Sequence, residues 1–261
     1  MQRLELFNPF NAPVYFEETL NSTMDVSREL AAAGEPSGTV IVANSQNAGR
    51  GRIRKRAWES EKNANLLFTI LLRYPSIETI PVALTLRAGL AVVLAIEEFA
   101  PALCGRAKVK WPNDIMLGAK KAVGILAEAD GGTVHLGIGI NVAQKSFSEP
   151  LESKATSIAL AAGMDIPADN RFTLLEQIIC KLECGLANSV KAADWRSRLD
   201  LRLYKKGESV TFIEGGAESG NSHTGRLIGI GLGGELLIEE NGEISSFITG
   251  ELKAIYGEGG C

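Results

Sequence analysis

The strand-like runs of this chain are grouped together instead of alternating one by one with helices. They are short, apolar and rich in β-branched residues, and they lie at 39–43, 65–73, 108–111, 123–129 and 134–142. Helices are predicted between these groups and after them. Grouped strands beside separate helices are typical of α+β domains, so the pattern predicts an α+β fold with a mixed or largely antiparallel sheet.

Helices are predicted at 22–33, 81–99, 170–188 and 192–203. Ser22 or Thr23 can cap the first helix, and Gly34 ends it. The second helix is the most apolar segment of the chain, but it contains Arg87. We expect it to be too short and too charged to span a bilayer, and therefore to be a buried core helix.

The composition changes after Lys205. From there the chain consists of short strand-like runs, SVTFIE, TGRLIGI, ELLIEE and ISSFIT, separated by glycines. This spacing predicts a small β-barrel of about five strands. We therefore place a domain boundary near Lys205, between a domain of residues 1–205 and a domain of residues 206–261.

A short basic segment stands out from a mildly acidic chain. The segment 46–58 reads QNAGRGRIRKRAW and carries Arg50, Arg52, Arg54, Lys55 and Arg56, whereas the formal net charge of the chain is -4. The glycines between the first arginines indicate a loop, and guanidinium groups grip phosphate or carboxylate in a fork. Taken alone, the segment could equally be a solvated loop or an RNA-binding patch. The negative net charge argues against general coating of nucleic acid.

Two further motifs suggest contacts with an anionic ligand. In KWPND, Asn113 and Asp114 follow an extended corner, where a carboxylate could help to hold Mg²⁺ on a nucleotide phosphate or could simply form an Asx turn. In KKAVGILAE, an inward-pointing Lys121 would need an anionic partner, although Lys120 and Lys121 could instead be exposed turn lysines. Gly124 in the same run would let a ligand lie against the strand.

The run GIGIN supplies a third motif, with glycines at alternate positions of a strand. Gly137 and Gly139 would leave one face of the strand without side chains and so open a slot, and Asn141 could hydrogen-bond a polar ligand at its end. The alternative is a bulged core strand. The run does not open a helix with GxGxxG, so it is not a dinucleotide-binding fingerprint.

These motifs occur in a fixed order together with NSTMD at 21–25. In this order the chain resembles the biotin protein ligase family (biotin–[acetyl-CoA carboxylase] ligase) from Val14 to Tyr256. The resemblance implies a catalytic domain related to class II aminoacyl-tRNA synthetases, with a mixed or antiparallel sheet, followed by a small SH3-like β-barrel. It also implies the short type of ligase, without an N-terminal DNA-binding domain.

The resemblance implies a two-step reaction and a set of site residues. Biotin and MgATP would give biotinyl-5′-AMP and pyrophosphate, and biotin would then move to a lysine of a biotin carrier domain. The implied catalytic residues are Lys121, Arg52 and Arg50. The implied biotin-binding residues are Ser22, Thr23, Met24, Gln46, Gly49, Arg50, Gly51, Arg52, Lys121, Gly124, Gly137 and Gly139. The implied ATP-binding residues are Arg50, Arg52, Trp58, Asn113, Lys121 and Asn141, with Asp114 as the Mg²⁺ ligand.

The chain departs from the family pattern after the basic loop. The family often reads GRGRxGRxW and then SPxGxNL, whereas this chain has IRKRAW, which is one residue longer, and then SEKNANL. The match of Trp58 to an aromatic residue beside the nucleotide therefore depends on an inserted residue. Stacking of adenine on Trp58 is the assignment that this departure affects most.

Further expectations concern location and partners. The N-terminus has no signal-peptide apolar core, and the four cysteines include no CxxC pair, which fits reduced thiols in a cytoplasm. The default partner is the biotin carrier domain of acetyl-CoA carboxylase or of another biotin-dependent carboxylase, with no DNA, no membrane and a possible homodimer. The alternative functions are a lipoate–protein ligase of the same superfamily and a non-enzymatic nucleic-acid-binding module that uses the basic loop.

Overall fold

The structure, a computed structural model, describes residues 1–52, 58–186, 194–215 and 220–253. Arg54, Lys55 and Arg56 of the basic segment therefore lie outside the described residues. The strands are β1 (Gln2–Leu4), β2 (Val14–Leu20), β3 (Val40–Gln46), β4 (Asn65–Arg73), β5 (Ala107–Lys110), β6 (Asp114–Leu117), β7 (Lys120–Asp130), β8 (Thr133–Asn141), β9 (Ser209–Glu214), β10 (Ser222–Ile230), β11 (Leu236–Glu240), β12 (Glu243–Phe247) and β13 (Gly250–Leu252). The helices are α1 (Thr23–Ala32), α2 (Leu84–Phe99), α3 (Glu149–Glu152), α4 (Ile158–Ala162), α5 (Asn170–Leu186) and α6 (Trp195–Asp200).

The first eight strands form one mixed sheet in the order β1-β2-β3-β4-β8-β7-β6-β5. β2 and β3 run parallel, and the other neighbours in this sheet are antiparallel. The predicted α+β fold with a mixed sheet is confirmed. The predicted strand at 65–73 coincides with β4, but β1, β2 and β6 were not predicted, nor were the short helices α3 and α4.

The two faces of this sheet differ in chemistry, because successive strand residues point to opposite sides. One face carries the cross-strand pairs Leu66–Ile140, Phe68–Ile138 and Ile70–Leu136. These side chains belong to the apolar core formed with α2 and α5. The other face lies under α1, where Thr69 bonds to Thr23 and His135 bonds to Ser27. We refer to these as the core face and the α1 face.

The apolar helix α2 is buried, as predicted. Ten of its residues, from Leu86 to Ile96, are buried, and they include Arg87, which donates to the carbonyl of Gly185 at 2.6 and 3.1 Å. We expected this segment to be too short and too charged to span a membrane. That expectation is wrong, because the stretch Ile77–Phe99 is long enough and apolar enough to do so, judged by length and composition alone. Two thirds of its most apolar part is nevertheless buried inside the protein. The apolar composition of α2 is therefore explained by its packing in the protein core.

The last five strands form a second, antiparallel sheet in the order β12-β11-β10-β9-β13. Among the described residues its edge strands β12 and β13 do not pair, so the sheet is open and the expected small β-barrel is not confirmed. It packs on the first sheet through Trp111, whose indole nitrogen donates to the carbonyl of Gly234 at 3.0 Å. The Trp111 ring also meets Phe212 edge-on, with centroids 5.8 Å apart.

Candidate active site

A cleft on the α1 face collects most of the predicted site residues. It encloses about 540 Å³, part of it open to solvent. Thirteen of the residues predicted to bind biotin or ATP line it: Ser22, Thr23, Met24, Gln46, Arg50, Gly51, Arg52, Trp58, Asn113, Lys121, Gly124, Gly137 and Gly139. Gly49 is next to the cleft, between Gln46 and Trp58. Segments far apart in the chain thus converge on one space.

The first turn of α1 forms a polar end of the cleft. Ser22 caps the helix, and its hydroxyl accepts from the backbone nitrogen of Met24 at 3.3 Å. Thr23 donates to Gln46 Oε1 from both its backbone nitrogen, at 2.8 Å, and its hydroxyl, at 3.1 Å. These bonds fix the Gln46 amide and bring the NSTMD motif into contact with the start of the basic segment.

The glycines of β7 and β8 make room for side chains of the protein itself. Gly124 and Gly139 are cross-strand partners, and the Trp58 ring lies over both. A Cβ added at either glycine would come within 2.9 Å of that ring, and one at Gly137 within 2.8 Å of Met24 Sδ. The slot predicted from GIGIN exists, and in this structure Trp58 and Met24 occupy it. One face of the Trp58 ring is therefore covered by Gly124 and Gly139 of β7 and β8.

Lys121 is held at both its backbone and its side chain. Its backbone nitrogen donates to Lys154 O at 2.8 Å, and its carbonyl accepts from Thr156 N at 2.9 Å. Its ammonium pairs with Asp114 Oδ1 at 2.6 Å and lies 5.7 Å from the centre of the Trp58 ring. Lys121 therefore lines the cleft with an anionic partner already present. That partner is the carboxylate predicted to bind the metal.

The two described arginines of the basic loop are bonded to protein groups. Arg50 pairs with Asp25 Oδ1 at 2.6 Å, and the same oxygen accepts from Arg28 at 2.9 Å. Arg52 donates to the carbonyl of Gly250, in the second sheet, at 3.1 Å. A bound anion would have to compete with these partners. Sequence reasoning did not single out Asp25 as a partner of the loop, although it belongs to the quoted NSTMD motif.

The two asparagines assigned to the nucleotide have different surroundings. Asn113 lines the cleft, and its side chain donates to Ile125 O at 2.7 Å. Asn141 is buried and does not line the cleft. Its amide nitrogen donates to Thr156 O at 3.0 Å, and its oxygen accepts from Asn65 at 2.9 Å. Sequence reasoning missed Asn65, the polar first residue of the largely apolar strand β4.

A buried histidine lies beneath α1. His135 Nδ1 and the Ser27 hydroxyl are 2.8 Å apart, and both side chains are buried. Burial lowers the pKa of His135, and the nearby positive charges of Arg28 and Arg73 lower it further. The neutral imidazole is therefore the form that the fold favours.

The described residues contain no group of three or more His, Cys, Asp or Glu side chains that could hold a metal ion by themselves. Two carboxylates pair with cations of the cleft, Asp114 with Lys121 and Asp25 with Arg50. Any divalent cation here would need most of its ligands from phosphates and water, which is the usual habit of Mg²⁺.

Comparisons with known proteins point to one family. The profile described as "Biotin/lipoate A/B protein ligase family" matches residues 15–144. The chain is 34% identical to the "Bifunctional ligase/repressor BirA" of Bacillus subtilis over 247 residues, which cover 91% of this chain and 73% of that protein. It is 32% identical to the "Biotin--[acetyl-CoA-carboxylase] ligase" of Mycobacterium tuberculosis over 190 residues, which cover 69% of this chain and 68% of that protein.

A solved structure has the same fold. The biotin protein ligase from Aquifex aeolicus in complex with biotin and ATP superposes with a TM-score of 0.75 at 27% identity. The superposition covers 92% of this chain and 97% of that one. It extends over both sheets of this chain.

Proposed function

The chain belongs to the biotin/lipoate A/B protein ligase family, and we propose that it activates biotin with ATP to biotinyl-5′-AMP and transfers biotin to a lysine of a carrier protein. The enzyme is thus a biotin–[acetyl-CoA carboxylase] ligase that forms AMP. ATP and biotin are its substrates, as in the relative bound to both.

One observation carries this proposal: a single cleft joins a polar end at Gln46 to a cationic side formed by Lys121, Arg50 and Arg52. The substrate needs both ends. The biotin head group offers polar atoms for the Gln46 end, and its carboxylate must be brought against a triphosphate. Two anions repel each other, so fixed cations between them favour the first step.

The first step needs no base from the protein. A carboxylic acid of this kind has a pKa of about 4–5, like that of Glu, and is ionised at neutral pH. One carboxylate oxygen attacks the α-phosphorus of ATP, the bond to the oxygen bridging to the β-phosphate breaks, and pyrophosphate leaves. Lys121 is placed to neutralise the charge that builds on the α-phosphate, once its ammonium exchanges Asp114 for phosphate oxygens.

The second step transfers the acyl group. The amine of the carrier lysine attacks the carbonyl of the mixed anhydride, AMP leaves, and the nitrogen loses a proton to give the amide. Until the carrier arrives, water must be kept from the anhydride. Arg52, which spans from the loop to Gly250 of the second sheet, contributes to that closure.

Magnesium is the metal that fits this site. One carboxylate, Asp114, lies beside the lysine expected at the phosphates, and Mg²⁺ commonly takes only one or two protein carboxylates and keeps its waters. Bound there, the ion would offset charge on the phosphates. Asp114 is the residue that would hold it.

The remaining assignments are proposals of the same kind. We place the domain boundary between residues 205 and 206, with an SH3-like second domain, which is supported by a separately hydrogen-bonded sheet with its own buried Phe212 and Ile238. The partner we propose is the biotin carrier domain of acetyl-CoA carboxylase, and the name of the Mycobacterium relative, which includes that enzyme, supports this choice. A cytoplasmic location, a homodimer and the lack of DNA binding also stay predictions.

Labelling of a carrier domain tests the function. Purified protein is incubated with ATP, a biotin carrier domain and radiolabelled biotin or lipoate, with Mg²⁺ and with EDTA. We expect biotin to be incorporated only with ATP and Mg²⁺. Incorporation of lipoate instead would identify the other branch of the family, and incorporation of neither would refute the proposal.

A further inference from the structure

Three buried amide side chains connect the end of the basic loop with Lys121. They are Asn65 at the start of β4, Asn141 at the end of β8, and Gln144 just after it, which we call the amide network. Their side chains are 1%, 5% and 7% exposed. Buried amides are retained only when their donors and acceptors are satisfied, so the partners of this network reveal what it connects.

Asn65 is the centre of the network. Its Oδ1 accepts from the backbone nitrogen of Glu61, at 2.7 Å, which fixes the chain a few residues after Trp58. Its Nδ2 donates to Asn141 Oδ1 at 2.9 Å and to Gln144 Oε1 at 3.1 Å. One side chain thus ties the chain that leaves the basic loop to the strand that carries the glycine floor.

The connection continues from Asn141 to Lys121. With its oxygen facing Asn65, the Asn141 amide turns its nitrogen to Thr156 O, at 3.0 Å. The segment around Thr156 clamps Lys121, because Thr156 N donates to Lys121 O and Lys121 N donates to Lys154 O, at 2.9 and 2.8 Å. The backbone of the lysine is therefore held by the segment that Asn141 anchors.

The direction of these amides is set as a group. A reversed Asn141 amide would turn its oxygen toward the carbonyl of Thr156, and a reversed Gln144 amide would lose the bond from its Nε2 to Ser146 O. Both changes would bring two acceptors together in a buried place, which is costly. The donor group of Asn65 adds to these two bonds, because it is satisfied only while both amides keep their oxygens turned toward it.

We infer that Asn65 is a positioning residue of the adenylation site, which acts through Asn141 and the Thr156 segment to fix Lys121 and through Glu61 to fix the chain that follows Trp58. The inference rests on the proposed function for its kinetic consequence, but its structural part does not. Asn65 itself lies outside the set of residues that line the cleft.

The chain offers a matched control in Asn44, which is also 1% exposed. Asn44 Oδ1 accepts from Asn63 N, and its Nδ2 donates to Asn63 Oδ1, both at 2.9 Å. It also donates to Glu18. Asn44 therefore anchors the same turn with the same kind of side chain, but none of these bonds leads to Asn141 or Lys121.

The test compares Asn65→Ala, Asn65→Asp and Asn44→Ala. Asn65→Asp keeps an acceptor for Glu61 N and loses the donor to Asn141 and Gln144. We expect the two alanine variants to lose similar thermal stability. We expect kcat for adenylate formation to fall about tenfold or more in both Asn65 variants, with a smaller change in the KM for biotin, and to stay within about twofold in Asn44→Ala. Equal kcat in Asn65→Ala and Asn44→Ala would overturn the inference.

Hydrogen exchange of the ligand-free proteins separates this inference from the proposed function. The amides of Lys121 and Thr156 should exchange faster in Asn65→Ala and Asn65→Asp than in Asn44→Ala. Unchanged protection at both amides would overturn the positioning role, whether or not the wild-type protein makes an adenylate. A wild-type protein that forms no adenylate, with faster exchange at Lys121 in the Asn65 variants, would instead refute only the function.

Discussion

The core face and the α1 face of the eight-stranded sheet are built from the same strands and have opposite characters. On β8, Leu136, Ile138 and Ile140 enter the apolar core, while the residues between them are His135, Gly137, Gly139 and Asn141. On β4, Leu66 and Phe68 are core residues, while Asn65 and Thr69 take part in hydrogen bonds on the other side. Along each of these strands, residues that pack in the core thus alternate with residues on the side of the candidate site.

The difference shows how a site can be placed on a rigid support. The core face is filled by aliphatic side chains against α2 and α5, and this packing fixes the strands. Because the strands are already fixed, the α1 face can contain glycines and buried amides, which add little packing of their own, and the protein still folds. Changes on the two faces should accordingly separate into losses of stability and losses of activity.

The largest effect is expected on the α1 face, at Lys121. Lys121→Ala removes the cation expected at the α-phosphate, and adenylate formation should fall by about 10²–10³, the range seen when one charge-stabilising donor is lost. Since the side chain is partly exposed, thermal stability should change little. Pyrophosphate release under single-turnover conditions measures the step, and an unchanged rate would remove Lys121 from the site.

The next effect belongs to the core face. Leu136→Ala deletes a fully buried side chain and should lower the free energy of unfolding by about 2–5 kcal/mol. The folded fraction should keep its activity, because Leu136 points away from the cleft. Urea unfolding followed by circular dichroism, with activity assayed per folded molecule, checks both halves. A variant that is stable but inactive would break the separation of the two faces.

Gly139→Ala tests the floor of the cleft. The added methyl group would meet the Trp58 ring at 2.9 Å, so the ring must shift. We expect a loss of about 1–3 kcal/mol, divided between stability and ligand affinity. The double variant Gly139→Ala with Trp58→Ala should recover stability, because the obstacle is gone. Thermal unfolding of the set measures this, and additive effects of the two changes would argue against the contact.

Arg52→Gly should loosen the retention of the intermediate. The variant loses a guanidinium that lines the cleft and bonds to Gly250. We expect biotinyl-5′-AMP to dissociate about tenfold faster, a difference of about 1.4 kcal/mol, and to label bystander lysines. Stopped-flow dissociation and labelling of serum albumin measure the two effects. A dissociation rate equal to that of the wild type would contradict the proposed closure.

The smallest effect is a pH dependence of stability from His135. Its pKa is lowered in the folded protein by burial and nearby arginines, so the unfolded chain binds the proton more readily. This contribution to stability is complete above the unfolded pKa of about 6.5 and is lost as pH falls below it, by at most about 1.4 kcal/mol per pH unit. His135→Gln should abolish this slope, whereas His223→Gln should retain it.

Sequence reasoning predicted more of the site than of its internal bonds. Ser22, Gln46, Lys121 and the three glycines were identified from short motifs and do share a cleft. The alternating glycines correctly indicated a strand with one bare face, but not that Trp58 would cover it. Asn65 was overlooked because an asparagine before an apolar strand is a common turn residue and carries no signal of its partners.

The fold was predicted to a similar degree. β4 and β9 were located to the residue and α1 and α2 to within a few, because the periods of apolar residues and the helix caps are local signals. The missed β6 has only four residues and lies between turn residues, so it has too little pattern to recognise. The open form of the second sheet depends on how its edge strands meet, which no local pattern specifies.

The amino-acid sequence by itself determined the α+β class, the helix ends and which residue types are available for an anionic ligand. Each of these follows from neighbours within a few positions. Only the tertiary structure decided the partners: Lys121 with Asp114, Asn65 with Asn141, and Arg52 with Gly250, which is 198 positions away. A hydrogen bond depends on distance and direction in space, and for groups so far apart in the chain these are set by the packing of the whole fold.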